Sequence, residues 1–259
     1  MFNKDARYLR GIDANQVDIL SLYTGEENNY FDNYKALDRL KEEIDILLSV
    51  YTGVAGLGFI GMVVSPVTTL GLGALLSAAV SLEYFYRIAR IHDTLKMLLE
   101  YFGDDGIKII PRVRTKNAII DLLVRMPDKR IFVLMLRGKE NTVVMWREDR
   151  QQFFVRKKGR GSQKSDSLNR TIQKLNTVLD LKKAKSPIMG TTNAERNAPT
   201  IKTIVLAPGA EIAESNSREL LPELWADFGQ SEALKICNPS ITYVVKYDNL
   251  IKFMLLPKK

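Results

Sequence analysis

Asp121 is the residue whose type and setting most clearly invite chemistry. It lies inside the apolar run AIIDLLV at 118–124. A carboxylate there is costly to bury unless it is ion-paired, hydrogen-bonded or bound to a metal. The next apolar run, RIFVLMLRGK at 130–139, ends with Arg137 and Lys139 near the level that a hairpin partner of Asp121 would reach. Two chemistries fit this pairing: a satisfied buried Asp–Arg pair, or a metal site, relic or working.

The remaining titratable groups narrow the choice. Cys237 is the single cysteine and His92 the single histidine. Zinc sites built from Cys and His are excluded by count. One thiol forms no internal disulfide, which fits a reducing compartment. A Ser–His or Cys–His catalytic pair would have to use His92, which falls in an expected helix beside the apolar segment and reads as structural.

The formal net charge is +8, and it is local. Segment 147–185 holds 12 basic and 4 acidic side chains, so it carries the whole excess while the remainder is near neutral. Within it, Arg156, Lys157, Lys158, Arg160, Lys164, Arg170 and Lys174 are the candidates for contact with an anionic partner, either nucleic acid phosphates or acidic lipid headgroups. The competing reading of such a run is a solvated charged face. Trp146, Phe153 and Phe154 are the aromatic side chains nearby, too few to stack a single strand base by base.

These residues need a scaffold, and hydrophobic periodicity supplies one. Segment 83–102 has Phe85, Ile88, Ile91, Leu95, Leu98 and Phe102 at helical spacing. Strands are expected at 107–113, 118–125 and 130–136, with Met126-Pro127-Asp128-Lys129 turning the second into the third. Segments 142–146 and 152–156 are read as continuing this meander. A helix follows at 168–181, a strand at 201–206, a helix at 218–228, a strand at 241–245 and a short helix at 249–255. The polar stretch 186–200 reads as a loop. The fold class is α/β, with a central mixed β-sheet flanked by helices.

In element order and in a few side chains the chain resembles the nuclease-related (NERD-type) branch of the restriction-endonuclease-like PD-(D/E)xK superfamily. The elements that carry the likeness are a helix, a strand bearing Asp121, an apolar strand ending in a basic residue, a strand with Trp146, and a helix with Asn169 four residues before Gln173. The likeness covers about residues 83–255. It implies that Asp121 stands where the family has its metal-binding aspartate, and that Gln173 matches the helix glutamine. The family's Glu-x-Lys would fall on Met135-Leu136-Arg137. A thioether does not ligate Mg²⁺ as a carboxylate does, and a guanidinium stays protonated and cannot act as a base. The resemblance therefore implies a degenerate site with no cofactor and no metal. Mg²⁺ would matter only if the site were an active nuclease.

Ahead of this domain, 46–82 contains no charged residue. Pro66 breaks the run, which suggests two spans, 46–64 and 67–86. Gly73, Ser77 and Ser81, Ala74 and Ala78, and Gly53 and Gly61 provide small-residue faces of the kind that pack helices in lipid. Tyr84, Phe85 and Tyr86 resemble an interfacial belt, and Lys35, Arg39, Lys41, Arg87 and Arg90 flank the run. The expectation is an N-terminal helical segment at 1–45, a transmembrane helical hairpin at 46–86, and an α/β domain at 87–259. The protein would be integral to the lipid bilayer with both termini cytoplasmic. No signal peptide is visible at the N-terminus.

The expected function is a membrane-anchored, non-catalytic nuclease-like module that binds an anionic partner through the basic stretch. The alternative is an assembly or scaffold factor for an integral membrane protein complex, with the hairpin and the α/β domain as protein-binding surfaces.

Overall fold

The structure is a computed structural model that describes residues 12–13, 32–64, 69–115, 118–147, 150, 152–159, 164–165, 168–190, 192–213, 233–236 and 241–256. Side chains at 12–13, 54–55, 57–64, 69–81, 83, 164–165 and 233 lie outside this description. In chain order the strands are β1 (Ile12–Asp13), β2 (Lys108–Arg114), β3 (Ile119–Arg125), β4 (Ile131–Arg137), β5 (Thr142–Arg147), β6 (Gln152–Lys157), β7 (Lys164–Ser165), β8 (Thr200–Leu206), β9 (Glu211–Ile212), β10 (Ala233–Ile236) and β11 (Thr242–Lys246). The helices are α1 (Asn33–Val64), α2 (Thr69–Phe102), α3 (Leu168–Asn176), α4 (Val178–Lys183), α5 (Asn193–Arg196) and α6 (Leu250–Leu255).

Among the described residues, one mixed sheet runs in the order β1-β2-β3-β4-β8-β11-β10. Strands β2, β3 and β4 form an antiparallel meander, β8 joins β4 in parallel, and β11 continues in parallel. Strand β3 is buried from Ile120 to Val124 and β4 from Ile131 to Leu136, as near-continuous apolar runs covered on both faces must be. Two cores result. Residues Leu40, Ile88, Ile91, Leu95 and Leu98 of α1 and α2 pack with Leu122, Val124, Leu134 and α6 on one face. On the other, Leu168, Ile172 and Leu175 of α3 pack with Ile120, Leu123, Val133 and Met135.

The α/β class with a mixed sheet is present. The transmembrane hairpin is not: among the described residues no helix is long and apolar enough to cross a membrane. The expected lipid-bilayer partner and the integral-membrane localisation lose their support with it. The physical reason lies in the described parts of the two helices, which extend well past the apolar run into charged, amphipathic stretches. α1 carries Lys35, Asp38, Arg39, Lys41, Glu42, Glu43 and Asp45, and α2 carries Arg87, Arg90, Asp93, Lys96 and Glu100. The two pack on one another, and both are fastened to the sheet. Asp32 caps α1 by accepting the Lys35 N–H at 3.0 Å, the preferred role of Asp at a helix start. Asn33 then donates to the Ile107 carbonyl at 2.7 Å and accepts the Ile109 N–H at 2.8 Å. Ser65, Pro66 and the small-residue faces at Gly61, Gly73, Ala74, Ser77, Ala78 and Ser81 lie outside the described residues or side chains.

Three further expectations are corrected. Strands β5 and β6 do not extend the meander; with β7 and β9 they form a second sheet in the order β7-β6-β5-β9. Trp146 of β5 and Phe153 of β6 meet edge to face, centroids 4.9 Å apart, inside the α3-side core. The helix at 168–181 is two helices, parted at Thr177, whose hydroxyl bonds back to the Lys174 carbonyl. The expected loop at 186–200 holds a 3₁₀ turn at Pro187–Met189 and α5, which is closed by a capping box between Thr192 and Glu195. The helix expected at 218–228 lies outside the described residues.

Candidate functional site

The backbone around Asp121 departs from regular pairing in both directions. Toward β2, the ladder runs from Lys108↔Arg125 to Arg114↔Ile119 but skips Arg112 opposite Asp121. Arg112 sits at φ 54°, a left-handed conformation that L residues other than glycine seldom adopt. Alternation fails at the same level: Ile110 and Val113 share one core, as do Ile120 and Leu123. Toward β4, the ladder stops at Leu122↔Leu134. The two strands part there, and the Asp121 side chain fills the gap.

Asp121 is wholly buried, and both carboxylate oxygens are occupied. Oδ1 accepts from Arg87 Nη2 at 2.7 Å and Nε at 3.2 Å. Oδ2 accepts from Arg137 Nη1 at 2.6 Å and from the Leu136 N–H at 2.9 Å. Four charge-assisted or backbone donors satisfy a buried carboxylate fully. Around it, Arg90 donates to the Gly138 carbonyl at 3.1 Å.

Positive charge outweighs this one carboxylate. Burial holds the Arg137 guanidinium below its ordinary pKa; Asp121 opposes that shift, while Arg87 and Arg90 add to it. Lys174 of α3 is also pushed down, first by burial and then by Arg137 and Arg87, with Asp121 opposing and Arg170 adding. Asp121 and Arg87 act on both Arg137 and Lys174, while Arg90 acts on Arg137 and Arg170 on Lys174.

A second buried network adjoins the first. The Glu43 carboxylate of α1 accepts both its short bonds, 2.8 Å each, from Arg112 Nη1. Tyr84 donates to Glu43 at 2.9 Å and accepts from Arg112 Nη2 at 2.8 Å. Burial, with Glu43 adding and Arg112 opposing, pushes the Tyr84 phenol up to about 12.

The expected site residues divide as follows. Arg137 reaches Asp121 directly. Met135 is fully buried in the α3-side core, with no path to a ligand role. Gln173 is exposed on α3. Asn169 is structural: it accepts the Phe153 N–H at 2.8 Å and so ties β6 to α3. Arg170 and Lys174 are both exposed on α3; Lys174 feels the charges of Asp121, Arg87 and Arg137, and Arg170 acts on Lys174. Arg156 and Lys157 are exposed on β6, and Lys158 pairs with Glu211 at 2.8 Å. Arg160 and the Lys164 side chain lie outside the described residues. The basic stretch is therefore two surfaces, one on α3 and one on the second sheet.

Sequence reading missed Arg87, which it counted as a flank of a membrane span. The available signal was its position: Arg87 is four residues before Ile91 and three after Tyr84, on the stripe that turns toward the sheet. Glu43 carried the same signal, falling between Leu40 and Leu47 on the buried stripe of α1.

The donor set does not fit Mg²⁺. Among the described residues, no group of three or more Asp, Glu, His or Cys side chains could hold a metal ion. Asp121 is the lone carboxylate of the site, and its oxygens face two guanidiniums that would repel a cation. What the arrangement can do is attract and orient an anion. No protein-family model, curated protein or solved structure matches the chain.

Proposed function

We propose that this chain is a non-catalytic, nucleic-acid-binding module on a nuclease-related scaffold. The observation that carries the reading is Asp121. That carboxylate, which the resemblance matches to the family's metal-binding aspartate, is neutralised by Arg87 and Arg137, with Arg90 held beside them on the Gly138 carbonyl. The order helix, antiparallel meander with Asp121 in its middle strand, helix α3 and parallel strand β8 supports the nuclease-related part. Loss of the paired carboxylate removes the means to activate water, and surplus cations suit phosphate.

Fluorescence anisotropy with labelled DNA and RNA duplexes, across a salt series, tests it. The expected result is binding that weakens linearly in log affinity with log salt, without Mg²⁺- or Mn²⁺-dependent cleavage. Metal-dependent cleavage that disappears in Asp121→Asn would overturn the non-catalytic part. Binding to anionic liposomes but not to either duplex would overturn the nucleic-acid part.

A further inference from the structure

We propose that the outer face of the second sheet takes one unpaired base of a single-stranded nucleic acid, stacked on Phe154 between Arg147 and Arg156. This deepens the nucleic-acid reading and rests on it.

The face follows from strand register. Residues directly opposite in an antiparallel pair share a face, and alternate residues along a strand take opposite faces. Trp146 and Phe153 are partners in β5 and β6, and both are buried in the α3-side core. Met145 and Phe154, the next pair, therefore point away from that core. Both are half-buried, and neither belongs to either core. On the same face, Arg147 follows Met145 by two residues and Arg156 follows Phe154 by two. Because the strands run antiparallel, the two arginines bracket the Met145–Phe154 pair from opposite ends.

Cations already attend the ring. The guanidinium carbons of Arg147 and Arg150 lie 5.8 and 5.9 Å from the Phe154 centroid, within cation–π range. Segment 147–158 holds five basic and two acidic side chains. Glu211 adds one acid by pairing with Lys158, and the face stays positive. Strand β6 is also fixed from behind, since the Phe153 N–H is held by Asn169 of α3 at 2.8 Å. A ring placed in advance in this way loses little freedom on binding.

The combination sets the class of ligand. An aromatic ring within a basic surface offers a base its π-face while the flanking phosphates meet cations. A lipid headgroup would use the cations and leave the ring idle, and a duplex keeps its bases in its own stack. With Trp146 and Phe153 committed to the core, Phe154 is the one aromatic side chain that β5 and β6 place on this face. The face therefore takes a single base rather than a run of them.

The test measures binding of a labelled, mixed-sequence DNA single strand to the full chain, against a strand of equal length that lacks its bases. The corresponding RNA strand and a blunt duplex are measured alongside. Wild type should bind the base-bearing strand about tenfold more tightly than the abasic one. Phe154→Leu, which keeps an apolar side chain, should remove that difference and leave the salt slope unchanged, whereas Phe154→Tyr should preserve it. Arg156→Gln should weaken binding of both strands alike and reduce the salt slope by about one. Equal affinity of wild type for the two strands, no binding to either, or a difference that survives Phe154→Leu overturns the stacking site. The comparison within wild type decides the matter even where Phe154→Leu does not fold. If duplex binding persists when the site fails, the nucleic-acid reading stands without it; if duplex binding is absent as well, both fall. Binding to phosphatidylglycerol vesicles that Phe154→Leu weakens, with no strand bound, gives the face to a membrane and overturns the site too. Where both DNA and RNA strands show the Phe154-dependent gain, the tighter of the two names the sugar.

Discussion

Arg112 and Asp121 stand opposite each other on adjacent antiparallel strands and do not pair. Each instead turns to an element across the helix-side core. Arg112 takes Glu43 of α1 and Tyr84 of α2, while Asp121 takes Arg87 of α2 and Arg137 of β4. Tyr84 and Arg87 are one helical turn apart, so α2 serves both networks from one stripe. The positive φ of Arg112, worth roughly 1–2 kcal/mol against an L residue, is the local cost of this arrangement. The long helical pair is thus held to the sheet by oriented charge as well as by apolar contact, and that fixes where Arg87 sits in the site.

The Glu43–Arg112 pair should behave as a buried salt bridge. Its side chains are 10% and 8% exposed. Removing one partner strands the other, so Glu43→Gln and Arg112→Met should each lower stability by about 3–5 kcal/mol. Guanidinium denaturation of the singles and the double mutant checks this. The double mutant should be more stable than the sum of the two losses predicts; strict additivity would show that the two groups do not interact.

Tyr84 makes the pair sensitive to alkali. Its folded pKa is raised to about 12 against an ordinary value of 10.0. A group whose folded pKa is raised keeps its stabilising contribution below the unfolded value and loses it as pH climbs toward the folded one. Wild type should therefore lose stability relative to Tyr84→Phe between pH 10 and about 12. Ultraviolet difference titration should show the phenolate increment missing from Tyr84→Phe to be the one appearing near pH 12. An increment near pH 10 instead would contradict the network.

Much of this was legible in the residues, for definite reasons. The meander followed from three apolar runs and the Met126–Lys129 turn, and the Asp121 anomaly followed from one carboxylate in an apolar run. Period and polarity are local signals. The partners of Asp121 were less legible, because Arg87 is 34 residues away and no local pattern encodes which charged residue crosses to which strand. The second sheet was hidden for a related reason. Strands β5 and β6 alternate as a meander would, and only the parallel contact of β5 with β9, more than sixty residues on, shows that they belong elsewhere. The apolar run at 46–82 misled because its composition satisfied a membrane rule while the flanking turns of the same helices carried the charges that face the sheet.

Lys129, at the tip of the β3–β4 turn, has φ 69° and is exposed. Its N–H closes the turn on the Met126 carbonyl at 3.0 Å. Glycine adopts this conformation without the Cβ penalty. Lys129→Gly should therefore stabilise the protein by about 0.5–1 kcal/mol, with the unfolded-state entropy of glycine reducing the gain. Thermal and urea unfolding measure the difference. A loss of stability would indicate that the turn does not hold Lys129 in the left-handed region.

The last prediction concerns Asp121→Asn, which should lower stability and raise anion affinity together. Asparagine keeps the size of the side chain but offers one acceptor oxygen, and its amide nitrogen must face a guanidinium donor. Arg87 and Arg137 are then left close to each other without the charge that lies between them. Breaking a buried pair in this way should cost roughly 3–5 kcal/mol. Replacing Arg137 with Met in the same chain removes one of the stranded charges and should recover part of that loss. The same change leaves the basic surface one charge more positive, so duplex affinity of the folded Asp121→Asn protein should rise at low salt, and the gain should shrink as salt screens the site. Mg²⁺ in the millimolar range should leave the Tm of both proteins unchanged, because neither offers a set of oxygen ligands. Unfolding curves, anisotropy at two salt concentrations and a Mg²⁺ titration of Tm measure the three effects. A Mg²⁺-dependent rise in the Tm of wild type that vanishes in Asp121→Asn would show that Asp121 serves a metal, and the ion-pair account of the site would fail.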